Sequence, residues 1–294
     1  MIKIKNVSKK FGNFTAIEDI NIDVKKGTIF GIIGENGAGK TTLIQCMTGI
    51  YKPDQGQITI NDGHVYENPK VKERIGYVAD QNQYFPFFKV REMVEFYKRT
   101  YPTFSTDKFN EYNSIFKLDE DQRVRQLSKG MQMRLSLMLN LAINPDVLIL
   151  DEPTSGLDAI AKKQMLDILL NEVADNQLTI FISSHHLGEL ERICDEIAII
   201  NKGKITYKSA LDEMKENVKK LQVVFDGEPA LDLKSWKEIK SIEKVGRVHY
   251  IITQEYSKDL EARLYKEGAK FIEYIDLSLE EIFIYTSEEG ADDN

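Results

Sequence analysis

The 294-residue chain is 42% hydrophobic, carries a formal charge of −8 and has a pI near 5.3. That length accommodates one large domain and a smaller one, and the acidic balance argues against a nucleic-acid surface, which needs clustered Lys and Arg. No apolar run reaches a membrane span, the start MIKIKNVSKKF alternates and is charged unlike a leader, and Cys46 and Cys194 lack metal-ligand spacing, so a cytoplasmic chain with inert buried thiols is expected.

Taken in order, Ile2, Ile4 and Val7 and then Ile17, Ile20, Ile22 and Val24 alternate as an antiparallel opening sheet, with Phe11-Gly12 on a loop between them. The stretch TIFGIIGENGAGKTTL follows: a buried strand over 29–33, a glycine-rich turn, and a helix from about Thr41. Gly34, four residues, then Gly39, Lys40 and Thr41 fit the phosphate-loop spacing, in which glycines let backbone N–H groups turn around an anion. Lys40 then reaches outer phosphates, Thr41 offers a hydroxyl to Mg²⁺, and the helix start adds its positive dipole end. The alternative, a glycine-rich connector, is disfavoured by the strand before the loop and the helix after it.

Beyond that helix, residues 49–56 read as a helix stop and turn, 57–60 as a short strand, Asn61-Asp62-Gly63 as a hairpin turn and 75–79 as a further strand. Residues 88–141 shift to helical spacing, and their last helix opens at Ser128, a natural N-cap, in Leu127-Ser128-Lys129-Gly130-Met131. The apolar strand at 147–150 then delivers two adjacent carboxylates, Asp151 and Glu152, one suited to hold Mg²⁺ through water and the other to handle a water proton.

With these residues in place, the first 215 or so resemble an ATP-binding cassette (ABC) ATPase. Walker A is GENGAGKT, the signature is LSKGM, Walker B is VLILDE, the D-loop is Ser155-Gly156-Leu157-Asp158, and Ser184-His185 after a strand looks like the switch histidine. The resemblance implies an α/β P-loop NTPase with a RecA-like core, an antiparallel β subdomain and a helical subdomain at about 88–141, bound to ATP and Mg²⁺. It places Gly34, Asn36, Gly37, Ala38, Gly39, Lys40, Thr41 and Thr42 around the nucleotide, Thr41 and Asp151 on the metal, Glu152 on the attacking water, His185 on the γ-phosphate and Phe11 against the adenine. It further implies a site split between two copies, with Ser128 and Gly130 facing the partner's γ-phosphate, so that a homodimer suffices and a heterodimer with a related subunit is the alternative.

Two positions depart from the family pattern. Lys129 stands where the signature usually has glycine, and Asp80 stands where the Q-loop usually has glutamine, followed by Gln81; either suits an approach to the metal and the water, and Gln81 is the expected one because an amide matches the family's usual chemistry. The aromatic run Tyr84, Phe85, Phe87 and Phe88 falls where a membrane subunit docks in the family, and equally suits the core of the helical subdomain.

Residues 216–286 read as a small α+β domain, with strands at 221–225, 242–245, 248–252 and 271–275, a helix at 258–266 and a capping box, Ser278 to Glu281, opening a last helix; 287–294 reads as an acidic disordered tail. One cassette with such an appendage resembles the ATPase subunits of bacterial drug, antibiotic and peptide exporters, which implies a separate membrane permease, a place at the cytoplasmic face of the membrane and no nucleic-acid partner. The competing reading, a soluble ABC protein acting on ribosomes or DNA, is disfavoured by the single cassette and the absence of sustained heptads or a basic arm.

Overall fold

The computed structural model describes every residue except 82–83, 186, 228–231 and 288–294, and every described side chain but those of 283, 284, 286 and 287. The chain forms two units, one from residues 1–186 and 193–208, the other from 187–192 and 209–294.

The first unit is built on a six-stranded sheet ordered Lys204–Ala210, Glu196–Asn201, Ile29–Ile33, Thr179–Ser184, Val147–Asp151, Ile75–Val78, whose last five strands pair in parallel. Its three central strands are buried at every position, as expected of parallel strands covered on both faces, and this is why their sequences are near-continuous apolar runs. The register sets Ile33 beside Ser184 and Asp151 beside Ser183, so three loops leave the sheet side by side at its carboxyl edge.

An antiparallel sheet, ordered Phe14–Val24, Ile2–Phe11, Gln55–Ile60, Gly63–His64, covers this framework. Its buried positions skip a step between Ile4 and Val7 and between Ile17 and Ile20. Bulges with Asn6 and Asp19 at φ 49° and 50° absorb the extra residue and return the apolar side chains to one face. The hairpin turn falls on Asn61 and Asp62, both in the left-handed region that a two-residue turn of this hand requires. Ile2, Ile17, Phe30, Leu43, Met47 and Phe181 share one core, joining both sheets to the helix Lys40–Met47.

The helical segment holds Val90–Thr100, Thr106–Phe116 and Lys129–Ala142. The last is buried almost throughout from Met133, and its Asn140 side chain accepts a hydrogen bond from Tyr77 N at 3.0 Å on the neighbouring strand. Cys46 and Cys194 are buried, free thiols, and burial pushes the Cys46 thiol up to about 11.

The second unit has its own antiparallel sheet, ordered Ile239–Val245, Val248–Thr253, Lys220–Phe225, Ala269–Ile275, with Leu221, Val223, Ile251, Leu260 and Leu264 in its core. The helix Lys258–Lys266 is capped by Ser257, and Ser278 and Glu281 exchange the hydrogen bonds of a capping box before Leu279–Ser287. The boundary lies earlier than the expected 215/216. The helix Leu211–Asn217 belongs to this unit because Asn217 O accepts hydrogen bonds from Tyr256 N and Thr253 Oγ1, at 2.9 and 3.2 Å. Residues 187–192 join it through Glu191, which pairs with Lys215 at 2.7 Å and accepts from Leu279 N at 3.2 Å. The final helix runs to Ser287, and the rest of the expected acidic tail lies outside the described residues.

Candidate active site

The first loop at the sheet's carboxyl edge follows Ile33 and enters the helix Lys40–Met47. Gly39 caps that helix with φ 112°, and a Cβ there would lie 2.8 Å from the carbonyl oxygen of Ala16, so both backbone angle and space demand glycine. Gly37, at φ 85°, faces open space. The first four N–H groups of a helix have no intrahelical partner, and here they stand at the rim of a cleft of about 340 Å³ lined by Asn36, Gly37, Gly39, Lys40, Thr41 and Thr42.

Lys40 is 6% exposed; its ammonium donates to Gly34 O at 2.6 Å and to Glu35 O at 3.3 Å, and lies 3.2 Å from Glu152 Oε1. The second loop supplies Asp151 and Glu152. Asp151 is buried and accepts from Ser183 Oγ at 2.6 Å. Burial raises its carboxyl above the ordinary range, while hydrogen bonds from Ser183 and Thr41 act in the opposite direction. Glu152 sits at φ 51°, a left-handed conformation uncommon for a residue with a side chain, and the backbone is fixed there by hydrogen bonds from Glu152 N to Ser183 O and Oγ at 3.2 and 3.1 Å. The third loop brings His185, whose Nδ1 lies 2.7 Å from Glu152 Oε2 and whose backbone N–H donates to the same oxygen at 3.3 Å.

These residues suit a magnesium-bound polyphosphate. A cation whose ammonium points at the loop, unpaired helix-start N–H groups, and a hydroxyl hydrogen-bonded to a buried carboxylate match what each charge of that ligand needs. Glu152 Oε1 is buried and accepts no hydrogen bond among the described residues, which leaves it a position for a polar group of the ligand or a water.

Residues 17–155 match the ABC transporter family. The ABC transporter ATP-binding protein YtrB of Bacillus subtilis (strain 168) is 31% identical over 284 residues, 97% of either chain. The chain belongs to the ABC transporter ATP-binding proteins. The bacitracin transport ATP-binding protein BcrA of Bacillus licheniformis is 34% identical over 75% of this chain and 73% of its own length. A solved dimer of the ATP-binding cassette MJ0796, bound to ADP and Pi, superposes with TM-score 0.66 and 25% identity over 72% of this chain and 99% of the cassette. This ABC protein is therefore an ATPase with the P-loop fold expected of it.

Within this ABC ATPase, Lys40, Thr41 and Glu152 line one cleft, and Asp151 and His185 adjoin it through hydrogen bonds to Thr41 and Glu152. Ser128 and Gly130 do not line it. Ser128 accepts from Met131 N at 3.2 Å as an N-cap, and a Cβ on Gly130 would lie 2.8 Å from Gly156 O, so the signature rests against the D-loop of its own chain. Asp158 of that loop caps the helix Ala159–Asn176 and pairs with Arg134 at 3.0 Å. The Q-loop needs correction: Gln81 is exposed and does not line the cleft, whereas Asp80 does, its carboxylate held by the Lys129 ammonium at 2.8 Å. Phe11 stacks edge-on against Tyr51, 5.2 Å between centroids, and is absent from the lining; Phe14, which sequence reasoning passed over, contributes instead. The two rings are cross-strand partners across the Gly12-Asn13 turn, and that short turn was the available signal. In the aromatic run, Phe88 is half-buried and stacked on Phe85 at 4.8 Å, while Phe85 and Phe87 are 49% and 65% exposed.

Proposed function

We propose that this chain is the ATP-hydrolysing subunit of an ABC exporter, working as a dimer beneath a separate membrane permease. The observation that carries the reading is the division of the site. The cleft of one chain is lined by the phosphate loop and Glu152, with Asp151 and His185 bonded to residues of its wall, while Ser128 and Gly130 stand outside it at a helix start, so in this reading a second cassette completes the constellation. No helix among the described residues is long and apolar enough to span a membrane, and in this reading a permease provides the path across it. Likeness to the ABC transporter ATP-binding protein YtrB across both units, rather than across the cassette alone, supports the transporter reading.

In this reading Lys40 and the N–H groups of the helix start hold the β- and γ-phosphates, while Thr41 and Asp151 hold Mg²⁺, which supplies positive charge at the reacting phosphates when bound. Glu152 takes the proton of the attacking water through the oxygen that is free of His185, and His185 fixes the rotamer of that carboxylate. Phe14 packs beside the bound nucleotide, with Phe11 reaching the adenine once its contact with Tyr51 opens. Binding closes the dimer and hydrolysis reopens it. The exposed rings of Phe85 and Phe87 dock the permease.

The test is to install Glu152→Gln in the native cell, purify the chain from the membrane fraction with Mg-ATP, and identify what accompanies it. A multi-span protein in stoichiometric amount establishes the transport complex, and vesicles rebuilt with that protein give the direction of transport. Ribosomal or DNA-bound material with no membrane protein overturns the reading.

A further inference from the structure

The two positions at which the sequence departs from the family pattern, Asp80 and Lys129, are 49 residues apart and touch: the Lys129 ammonium lies 2.8 Å from Asp80 Oδ1 and donates to Ser155 Oγ at 3.0 Å. Asp80 lines the phosphate cleft together with Lys40 and Glu152. With Glu35 also in the lining and Asp151 adjoining, that wall sets four carboxylates against one ammonium, an arrangement that opposes the entry of a polyanion unless carboxylate charge is compensated. Lys129 comes from outside the lining and supplies that compensation.

We propose that Lys129 is a positioning and charge-compensating residue for nucleotide binding within its own chain, present because Asp80 replaces a neutral side chain in the cleft wall. The carboxylate at Asp80 is tolerable only with Lys129 beside it. Returning Lys129 alone to the family's glycine leaves the Asp80 carboxylate unpaired beside the phosphates and weakens Mg-ATP binding; replacing both residues together restores it. The D-loop hydroxyl of Ser155 holds the ammonium at the angle that reaches Asp80, so the signature helix and the loop after the strand Ile75–Val78 are tied together in each chain.

The inference rests on reading this cleft as the triphosphate site, and the experiment separates the two. Equilibrium Mg-ATP binding is measured by calorimetry on the full chain carrying Glu152→Gln, with Lys129→Met, Lys129→Gly, Asp80→Gln and the pair Asp80→Gln with Lys129→Gly added in turn, and with Lys40→Ala as the control for the site. Either Lys129 variant is expected to bind roughly tenfold more weakly, within the usual range for contacting charges. Asp80→Gln binds at least as tightly as the parent, and the pair returns to within about threefold of it. Raising NaCl from about 0.1 M to about 0.5 M shrinks the Lys129 defect, because screening shortens with salt. A latch that served folding alone would weaken binding in both single variants alike; that result, or unaltered binding in both Lys129 variants, overturns the proposal. Retention of binding by Lys40→Ala would instead remove the site reading beneath it.

Discussion

Replacing Glu152 by glutamine keeps the shape of the side chain and removes its charge, and the surrounding contacts determine the outcome. Glu152 Oε2 is held by the ring and backbone nitrogens of His185 at 2.7 and 3.3 Å, so the amide oxygen stays there and the new NH₂ group takes the place of Oε1, 3.2 Å from the Lys40 ammonium. Two donors then face each other, and the oxygen that accepted the water proton is gone. Loss of a positioned general base costs about 10²–10⁴-fold, which corresponds to about 2.7–5.5 kcal/mol in the barrier. Lys40 still has the carbonyls of Gly34 and Glu35, at 2.6 and 3.3 Å, so the loop keeps its form. With one anion fewer beside the phosphates, Mg-ATP binding tightens rather than weakens. Phosphate release under saturating Mg-ATP and calorimetric binding on the same preparation measure both halves. Turnover within about tenfold of the parent would refute the assignment of Glu152 as base, and a large loss of binding would refute the account of its contacts.

Gly130→Ala puts a methyl group 2.8 Å from the backbone oxygen of Gly156, a neighbour with little room to move, and is expected to lower stability by about 1–3 kcal/mol in urea titration while reducing ATPase activity more than nucleotide affinity. Phe181→Ala removes a fully buried ring stacked on Phe30 at 5.5 Å and is expected to cost about 3–5 kcal/mol by chemical denaturation. Phe87→Ser alters a ring that is 65% exposed and contacts Arg125 at 5.2 Å; the melting temperature and the basal ATPase rate of the isolated chain are expected to hold, while co-purification with the membrane protein falls.

Much of the site was legible because it is local. The spacing of Gly34, Gly39, Lys40 and Thr41 encodes a backbone path, and a buried strand ending in Asp151-Glu152 encodes a place at a sheet edge, so neither requires knowledge of distant residues. The capping box at Ser278 and Glu281 and the Asn61-Asp62 turn were readable for the same reason. What escaped depends on tertiary pairing. Choosing between Asp80 and Gln81 required knowing that Lys129 comes to lie beside the first, and choosing between Phe11 and Phe14 required knowing that Tyr51 engages the first. The segment 187–192 carries only the one-turn helix Leu187–Leu190, too short for periodicity to show, and its membership of the second unit comes from Glu191 and its partners Lys215 and Leu279. The contact between Glu152 and His185 was implied by their separate roles, but its form, a carboxylate oxygen gripped by ring and backbone together, belongs to the Asp151 and Ser183 register.

The strand order also bears on how this molecule comes into being. Thr179–Ser184 lies between Ile29–Ile33 and Val147–Asp151, which have no direct pairing with each other. A nascent chain that has emerged only as far as Walker B therefore carries the lysine and both carboxylates without the strand that holds them at bonding distance. The nucleotide site closes only once the intervening strand has emerged and inserted, and such non-local parallel pairing is intrinsically slow. ATP is then a ligand of the finished sheet and not of its intermediates. At about 100 times its dissociation constant it would add about 2.7 kcal/mol to the completed form, so the cell's ATP supply would act as a brake on unfolding as well as a source of power.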